Sequence, residues 1–442
     1  MKGLIMGVIK RLQRLTGEDP QVTGKEARTE QIGELRRRID AIMARRPGQQ
    51  RTLAAPPRSA ASPTLHQGAL LGEERCNAYG TFFLSQKHYD GSHRHGVRSI
   101  REFSAPDMSM AALLTRSPQL AEFDIADGLF LDVETTGLAG GTGTIAFLIG
   151  LGWFEGESFV TRQIFTRDFS EEKASLAFLL ELSTEKRFLV TFNGKAFDVN
   201  LLATRFIMNR LDDTLSGIPH LDLLHPSRRL LGHRLENSRL MTIEEAIVGL
   251  RREGDIPGSE IPERYFSWLR RRDERLLIDV FEHNRLDVIS MAALTYQLTK
   301  TLGPDPMAVQ AQHLDLQAAA RLMIERRLLS EARRILEDLV AADNRSVSGN
   351  ARQMLSLLYK RLNLWEEATA IWRTMLQEDP DDFFALEQLA KWYEHRCRDI
   401  GRAAELVGDA INRCGCRSES EQDALAYRLE RLKKKGQKGL SR

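Results

Sequence analysis

Residues 128–134 read GLFLDVE, an apolar run of buried-strand type that closes on two carboxylates, Asp132 and Glu134, and passes straight into Thr135-Thr136-Gly137. Residues two apart on a strand point to the same side, so both acids project together from the end of an otherwise apolar strand. Carboxylates held that close repel and resist joint ionisation unless a cation compensates them. Oxygen donors without thiolates or clustered histidines favour Mg2+ or Mn2+. A strand end with two solvated acids is the plain alternative. The apolar residues directly before the pair and the Thr-Thr-Gly turn directly after it favour a built site.

The sequence after this strand narrows the fold. TIAFLIGLGWF and SFVTRQIF, separated by a Glu155-Gly156-Glu157 turn, predict a hairpin. A helix follows at about 171–183, then the strand RFLVTF, a helix at about 196–208, a short strand around His220–Leu224 and further helices. Three meandering strands followed by α-β-α-β predict an α/β fold whose mixed sheet, flanked by helices, resembles a ribonuclease H-like sheet. Residues 70–125 mix aromatic and small residues with few clear periods and read as an N-terminal extension of this domain.

The last third is helical and repeats itself. RLLSEARRILEDLV, NLWEEATAIWRTML and DIGRAAELVGDAIN recur at intervals of 36 and 35 residues, measured on Ala332, Ala368 and Ala403. The middle copy carries Tyr359, Ala368, Trp372 and Pro380 at the spacing of tetratricopeptide repeats. An all-α TPR-like repeat domain is therefore expected after the α/β domain, with a protein segment as its ligand; the basic residues after Glu430 (Arg431, Lys433, Lys434, Lys435, Lys438 and Arg442) offer the alternative of a grip on substrate phosphates. A chain of 442 residues is long enough for two or three domains. The expected division is a basic helical or disordered arm and linker over 1–64, the α/β domain over 65–302 with its core at 128–300, repeats over 313–417, and a basic C-terminal tail over 418–442.

Two more segments carry acids. In Phe192-Asn193-Gly194-Lys195-Ala196-Phe197-Asp198 the Asn-Gly ends a strand, and Asp198 lies in the first turns of the next helix. By itself Asp198 is an ordinary first-turn acid and Asn193 an ordinary turn residue. In Glu282-His283-Asn284-Arg285-Leu286-Asp287 the His and the last Asp are four apart and share a helix face, which a surface pair would also do. Gly141-Thr-Gly143-Thr-Ile-Ala146 imitates a dinucleotide fingerprint but precedes a strand where that motif needs a helix.

Together these motifs resemble the DEDD 3′→5′ exonucleases, and more narrowly the YprB-like branch of ribonuclease H-like proteins. The narrow match rests on DVETTGLAGGTGTIAFLIGLGWF, TFNGKAFDVNLL, LDLLHPSRRLL, DIPGSEIPERYFSWL and HNRLDVISM, over roughly residues 70–300. The resemblance implies that Asp132, Glu134, Asp198 and Asp287 bind two divalent metal ions, Mg2+ or Mn2+, and that His283 orients or deprotonates the attacking water. His283 stands at the spacing where one subtype of the family has Tyr. Thr135, Thr136, Gly137 and Asn193 are expected beside the substrate. Lys195, Arg228, Arg229 and Arg234 are candidates for its phosphates, with solvated surface roles as the alternative. Asp222 either orders the site or serves as a cap.

The expected activity is hydrolysis of nucleic-acid phosphodiester bonds from a 3′ end. Two readings compete with it: a nucleic-acid-binding or scaffold protein whose acids are vestigial, and a structure-specific endonuclease on the same fold. The net charge of +2 gives no global field for a nucleic-acid partner. The excess is local, with 13 Lys or Arg against 6 Asp or Glu in residues 1–58. Cys76, Cys397, Cys414 and Cys416 form no CxxC pair, which fits a reducing, cytoplasmic setting. The apolar stretch in MKGLIMGVIKRLQRL is too short to span a membrane, so no stable membrane association is expected.

Overall fold

The computed structural model of the chain describes residues 70–137, 143–304, 306–342, 345–413 and 418–440. The arm and linker expected over 1–64, the Gly141-Thr142 half of the glycine motif, Cys414, Cys416 and Arg442 lie outside the described residues.

Among the described residues one mixed sheet has seven strands: β1 Glu73–Asn77, β2 Gly80–Tyr89, β3 Gly128–Thr135, β4 Ala146–Glu155, β5 Ser158–Phe165, β6 Phe188–Thr191 and β7 His220–Asp222. Their order is β1-β2-β5-β4-β3-β6-β7. The expected hairpin is β4–β5, antiparallel through Glu155↔Ser158, and β4 is also antiparallel to β3. On its other side β3 pairs in parallel with β6, which pairs in parallel with β7. The segment expected as an extension adds β1 and β2 to the free edge of β5 and contributes helix α1 (Met108–Thr115), whose first amides are capped by the Asp107 carboxylate.

Both faces of the sheet are covered, which is why β3 reads as an unbroken apolar run rather than an alternating one. Leu129, Leu131 and Val133 pack on one face with Leu176 and Leu179 of α2 (Glu172–Ser183) and Leu202 and Phe206 of α3 (Asp198–Met208). Phe130 points the opposite way, toward the helix Ile278–Leu302, and Asp132 and Glu134 follow it by the period of two. Two further helices of this region are α4 (Leu224–Leu231) and α5 (Ile261–Arg271), and the long one is α6 (Ile278–Leu302). Tyr265 of α5 stacks on Phe147 of β4 at 4.1 Å and donates its hydroxyl to the Thr166 carbonyl at 2.9 Å.

Helix α6 has two halves of different character. From Val288 to Leu302 every residue except Lys300 is buried, the pattern of a helix enclosed on all sides. Its Thr295, Thr299 and Thr301 hydroxyls donate to carbonyls one turn back, so their burial leaves no orphan donor. The first half carries His283, Asn284 and Asp287 along the sheet. Close approach there depends on two glycines of β4. A Cβ at Gly150 would meet Asn284 Oδ1 at 2.2 Å, and one at Gly152 would meet Val288 Cγ1 at 2.5 Å.

The rest of the chain is helical: α7 His313–Glu325, α8 Leu329–Ala341, α9 Arg345–Arg361, α10 Trp365–Glu378, α11 Phe383–Trp392, α12 Ile400–Asn412 and α13 Glu419–Leu440. Each packs on the next. Ala332, Ala368 and Ala403 are fully buried, as is Trp372. The apolar core is continuous across the expected boundary: one cluster runs from Phe130 through α6 to Trp372 and Leu389. The segment read as a basic tail is a helix over most of its length. Leu425, Leu429 and Leu432, spaced four and three apart, turn one apolar face of α13 onto Leu386, Ala403 and Val407.

Gly152→Ala tests the packing of α6. The added methyl would press first on Phe159 and Val288. The expected loss is about 1–3 kcal/mol in denaturant unfolding, with an unchanged dependence on denaturant concentration.

Candidate active site

The four acids reach one cleft from three elements. Asp132 and Glu134 come from the end of β3, Asp198 opens α3, and Asp287 lies one turn beyond His283 on α6. All four are half-buried. Burial raises the pKa of each above the ordinary carboxylate range, and repulsion from neighbouring acids adds to it. Asp132 is raised further by Asp287 and Asp198, and Glu134 by Asp132, Asp287 and Asp198. Asp198 is pushed up to about 7 by burial, then by Asp222 and Asp287. Asp287 is also raised by burial, although Arg252 and His283 pull against the shift.

Each acid has its own tether. Asn284 Nδ2 donates to Asp132 Oδ2 at 2.8 Å. The Arg252 guanidinium donates to Asp287 Oδ1 at 2.5 Å. The turn that carries Asp198 into place is organised by Asp222, whose carboxylate accepts from the Asn193 and Lys195 amides at 2.9 and 3.0 Å and from the Leu224 amide at 3.1 Å. Asn193 sits at φ +70°, a conformation Asn tolerates better than most residues. Asp222 is thus a backbone cap, and through that cap it also orders the site.

His283 has both ring nitrogens engaged. Nδ1 is 2.8 Å from Asp255 Oδ1, and Nε2 faces Asp287 Oδ2 at 3.6 Å. A carboxylate at Nδ1 selects the tautomer with its proton there and leaves the Nε2 lone pair toward the acids. Arg252 joins this pair to a buried network. It donates to Glu244 at 2.7 Å and to Asp255 at 3.2 Å, and Glu244 in turn accepts from Ser290, whose hydroxyl is 2.7 Å from His95 Nε2. Burial alone would lower the Arg252 pKa. Asp287 and Glu244 outweigh it and hold the guanidinium protonated.

The remaining predicted residues divide into two groups. Thr136 closes the turn after β3, its hydroxyl accepting from the Ile145 amide at 3.0 Å, while Thr135 donates to the Gly137 carbonyl at 2.9 Å. The side chains of Lys195 and Arg228 are exposed. Arg229 and Arg234 are instead engaged by α7, Arg229 with Glu325 and Arg234 with Asp315 at 3.2 Å. Sequence reasoning missed Asn284, Arg252, Asp255 and Glu244. Asn284 adjoins His283 and Asp255 opens DIPGSEIPERYFSWL, but neither had a partner assigned to it.

Among the described residues no three acidic, histidine or cysteine side chains already stand around one point as ion ligands. Asp287 is turned onto Arg252 and Asp132 onto Asn284. The donor chemistry nonetheless fits a hard divalent cation. Four carboxylates share a cleft with no thiolate among them, and their raised pKa values mark a deficit of positive charge.

Comparison with known proteins agrees with this reading of the fold. A family model described as the RNase_H superfamily matches residues 129–299, a span that contains all four acids and His283. The Bacillus subtilis (strain 168) uncharacterized protein YprB is 32% identical over 359 residues, 80% of this chain and 86% of that protein. Among solved structures, the family B DNA polymerase from the hyperthermophilic archaeon Pyrobaculum calidifontis aligns at 16% identity with a TM-score of 0.31. That alignment covers 45% of this chain and 29% of the polymerase chain.

Arg252→Met removes the only cation that touches Glu244, Asp255 and Asp287 together among the described residues. Stranding buried carboxylates in this way is expected to cost about 3–5 kcal/mol. Chemical denaturation of the metal-free protein measures it, and adding Glu244→Gln to Arg252→Met should recover part of the loss.

Proposed function

Since this chain belongs to the family of Bacillus subtilis YprB and carries an RNase_H superfamily domain over residues 129–299, we propose that it is a metal-dependent 3′→5′ exonuclease of the DEDD type. The observation that carries the proposal is the convergence of Asp132, Glu134, Asp198 and Asp287, from β3, α3 and α6, within electrostatic reach of one another.

These four residues would hold two divalent metal ions, Mg2+ or Mn2+. When bound, such ions supply Lewis acidity that acidifies water and neutralises charge on the leaving oxygen. His283 stands one turn before Asp287, its Nε2 facing that carboxylate at 3.6 Å. With its Nδ1 proton committed to Asp255, Nε2 is free to take the proton of the attacking water. Asn284 and the Asp222-capped turn fix the directions of Asp132 and Asp198. Lys195 and Arg228, exposed beside elements of the site, contact the phosphates of the strand. Arg229 and Arg234 serve the junction with α7 instead. The stacked helices from α7 onward act as TPR-like repeats in a division of labour near residues 302–313. They recruit a protein partner, and the protein works in the cytoplasm without stable membrane association.

End-labelled single- and double-stranded DNA and RNA, incubated with Mg2+, Mn2+ or EDTA, test this reading. The expected result is stepwise shortening from the 3′ end with either metal and none with EDTA. Internal cuts on 5′-labelled substrate would instead identify an endonuclease. Asp132→Ala and Asp287→Ala should each abolish cleavage while leaving the circular dichroism spectrum unchanged. His283→Ala should lower single-turnover cleavage by about 10²–10⁴-fold with little change in metal affinity measured by calorimetry. Loss of metal binding with turnover retained would reassign His283 as a ligand.

A further inference from the structure

The far end of the helical region carries a second concentration of charge, away from the acids. A cavity of about 210 Å3 is lined by Lys360, Lys391, Arg428 and Arg431, with Trp365 and Trp392 among them and His395 at its rim. A neighbouring cavity of about 180 Å3 shares Arg428 and Arg431 and adds Tyr427, which is 71% exposed. The two cavities form a groove on α9, α10, α11 and α13.

The cations are more numerous than their partners require. Glu394, fully buried, is contacted by Arg431 at 2.5 Å and Lys435 at 2.6 Å, with Arg428 at 3.5 Å. Glu387 takes Lys391 at 2.7 Å and Arg428 at 3.2 Å. Among the described residues Lys360 donates to the neutral Gln388 amide oxygen at 3.1 Å. Five side-chain cations thus surround two carboxylates, a local excess of three positive charges before His395 is considered. Three buried nitrogens here, Trp365 Nε1, Arg428 Nη1 and Arg431 Nε, have no hydrogen-bond partner among the described residues. Two more guanidiniums lie over the tryptophan rings, Arg396 at 5.0 Å from Trp365 and Arg373 at 5.7 Å from Trp392.

We propose that this groove binds single-stranded nucleic acid, with bases against Trp365, Trp392 and Tyr427 and phosphates on Lys360, Lys391, Arg428 and Arg431. Aromatic faces interleaved with cations are what an unpaired strand needs, because each base offers a π-face and each linkage a negative charge. An acidic peptide would use the cations and leave the exposed Tyr427 ring idle, so the strand is the better match. Binding in the groove stands apart from catalysis. Only its role in holding substrate for the acids rests on the exonuclease reading.

The test uses the full chain bearing Asp132→Ala, in EDTA, with fluorescent oligothymidylate and oligouridylate followed by anisotropy. Lys360→Gln/Lys391→Gln should weaken binding and reduce the slope of log affinity against log salt by roughly 1.4, from about 0.7 for each lost phosphate contact. Tyr427→Ser, at a side chain too exposed to matter for folding, should weaken binding roughly 5- to 150-fold if a base stacks there. Thermal melting checks that both variants remain folded. Unchanged affinity and salt slope in folded variants would overturn the proposal, as would oligoglutamate binding as tightly as the oligonucleotides. Groove variants that weaken binding in a protein whose parent cleaves nothing would sink the exonuclease reading alone. Normal cleavage with unaltered binding in the variants would sink the groove alone.

Discussion

Helix α6 packs onto β4 where Gly150 and Gly152 leave room for its Asn284 and Val288 side chains, and the candidate site takes its geometry from that contact. The near half of the helix is brought down onto the sheet there, so Asn284 meets Asp132, and His283 and Asp287 come within range of acids on β3 and α3. The far half, buried on all sides, continues the same core into α7 and the helices beyond it. A side chain at Gly150 would collide with Asn284, and one at Gly152 with Phe159 and Val288, so the placement of the acid and histidine on α6 and the packing of that helix are set by one contact.

Charge is the second constraint. A cleft with four half-buried carboxylates is unfavourable until something positive enters it, and burial and repulsion together express that cost as raised pKa values. Arg252 meets part of the deficit from within the protein. It is anchored on Glu244 and Asp255, however, and reaches only Asp287 among the four. A guanidinium is also planar and directional, whereas the acids approach from three elements. The remaining deficit therefore has the sign and hardness of a small divalent cation. Asp255 does two jobs in this arrangement: it takes one nitrogen of Arg252 and selects the tautomer of His283.

Local pattern made some of this legible and hid the rest. The β3 acids were readable because strand geometry puts residues two apart on one face, and the mixed sheet with its helical continuation followed from the order of apolar runs. The helix expected at about 171–183 begins at Glu172, within the ordinary tolerance of helix ends. Asp198 and Asp287 stood out only through family resemblance, since each has a bland role when read alone. Strands β1 and β2 of the extension were hard to delimit because their residues follow no clean alternation. Arg252 and Glu244 left no trace, and Asp255 appeared only as the first residue of a motif with no partner assigned. Their contacts with Asp287, His283 and Ser290 span 35, 28 and 46 positions, and side chains meeting across such separations from irregular segments impose no period on the sequence.

The C-terminal helix shows how charge and burial are read together. A run such as Arg431, Lys433, Lys434 and Lys435 suggests a solvated tail when counted by charge alone. Leucines at 425, 429 and 432 give the same residues an apolar face, and that face closes the stack against α11 and α12. The basic face then acquires a structural duty. Burial by itself would raise the pKa of Glu394, yet Lys435, His395 and Arg431 together hold it below the usual carboxylate range. A carboxylate buried without counter-charge would destabilise the turn that follows α11, so α13 is retained both by its leucines and by the acid that its cations satisfy. Arg431 and Lys435 are spent on that acid, Arg428 is shared between two acids, and Lys360 is left facing a neutral amide. The closing helix therefore supplies the positive field of the groove as a consequence of how it is held in place.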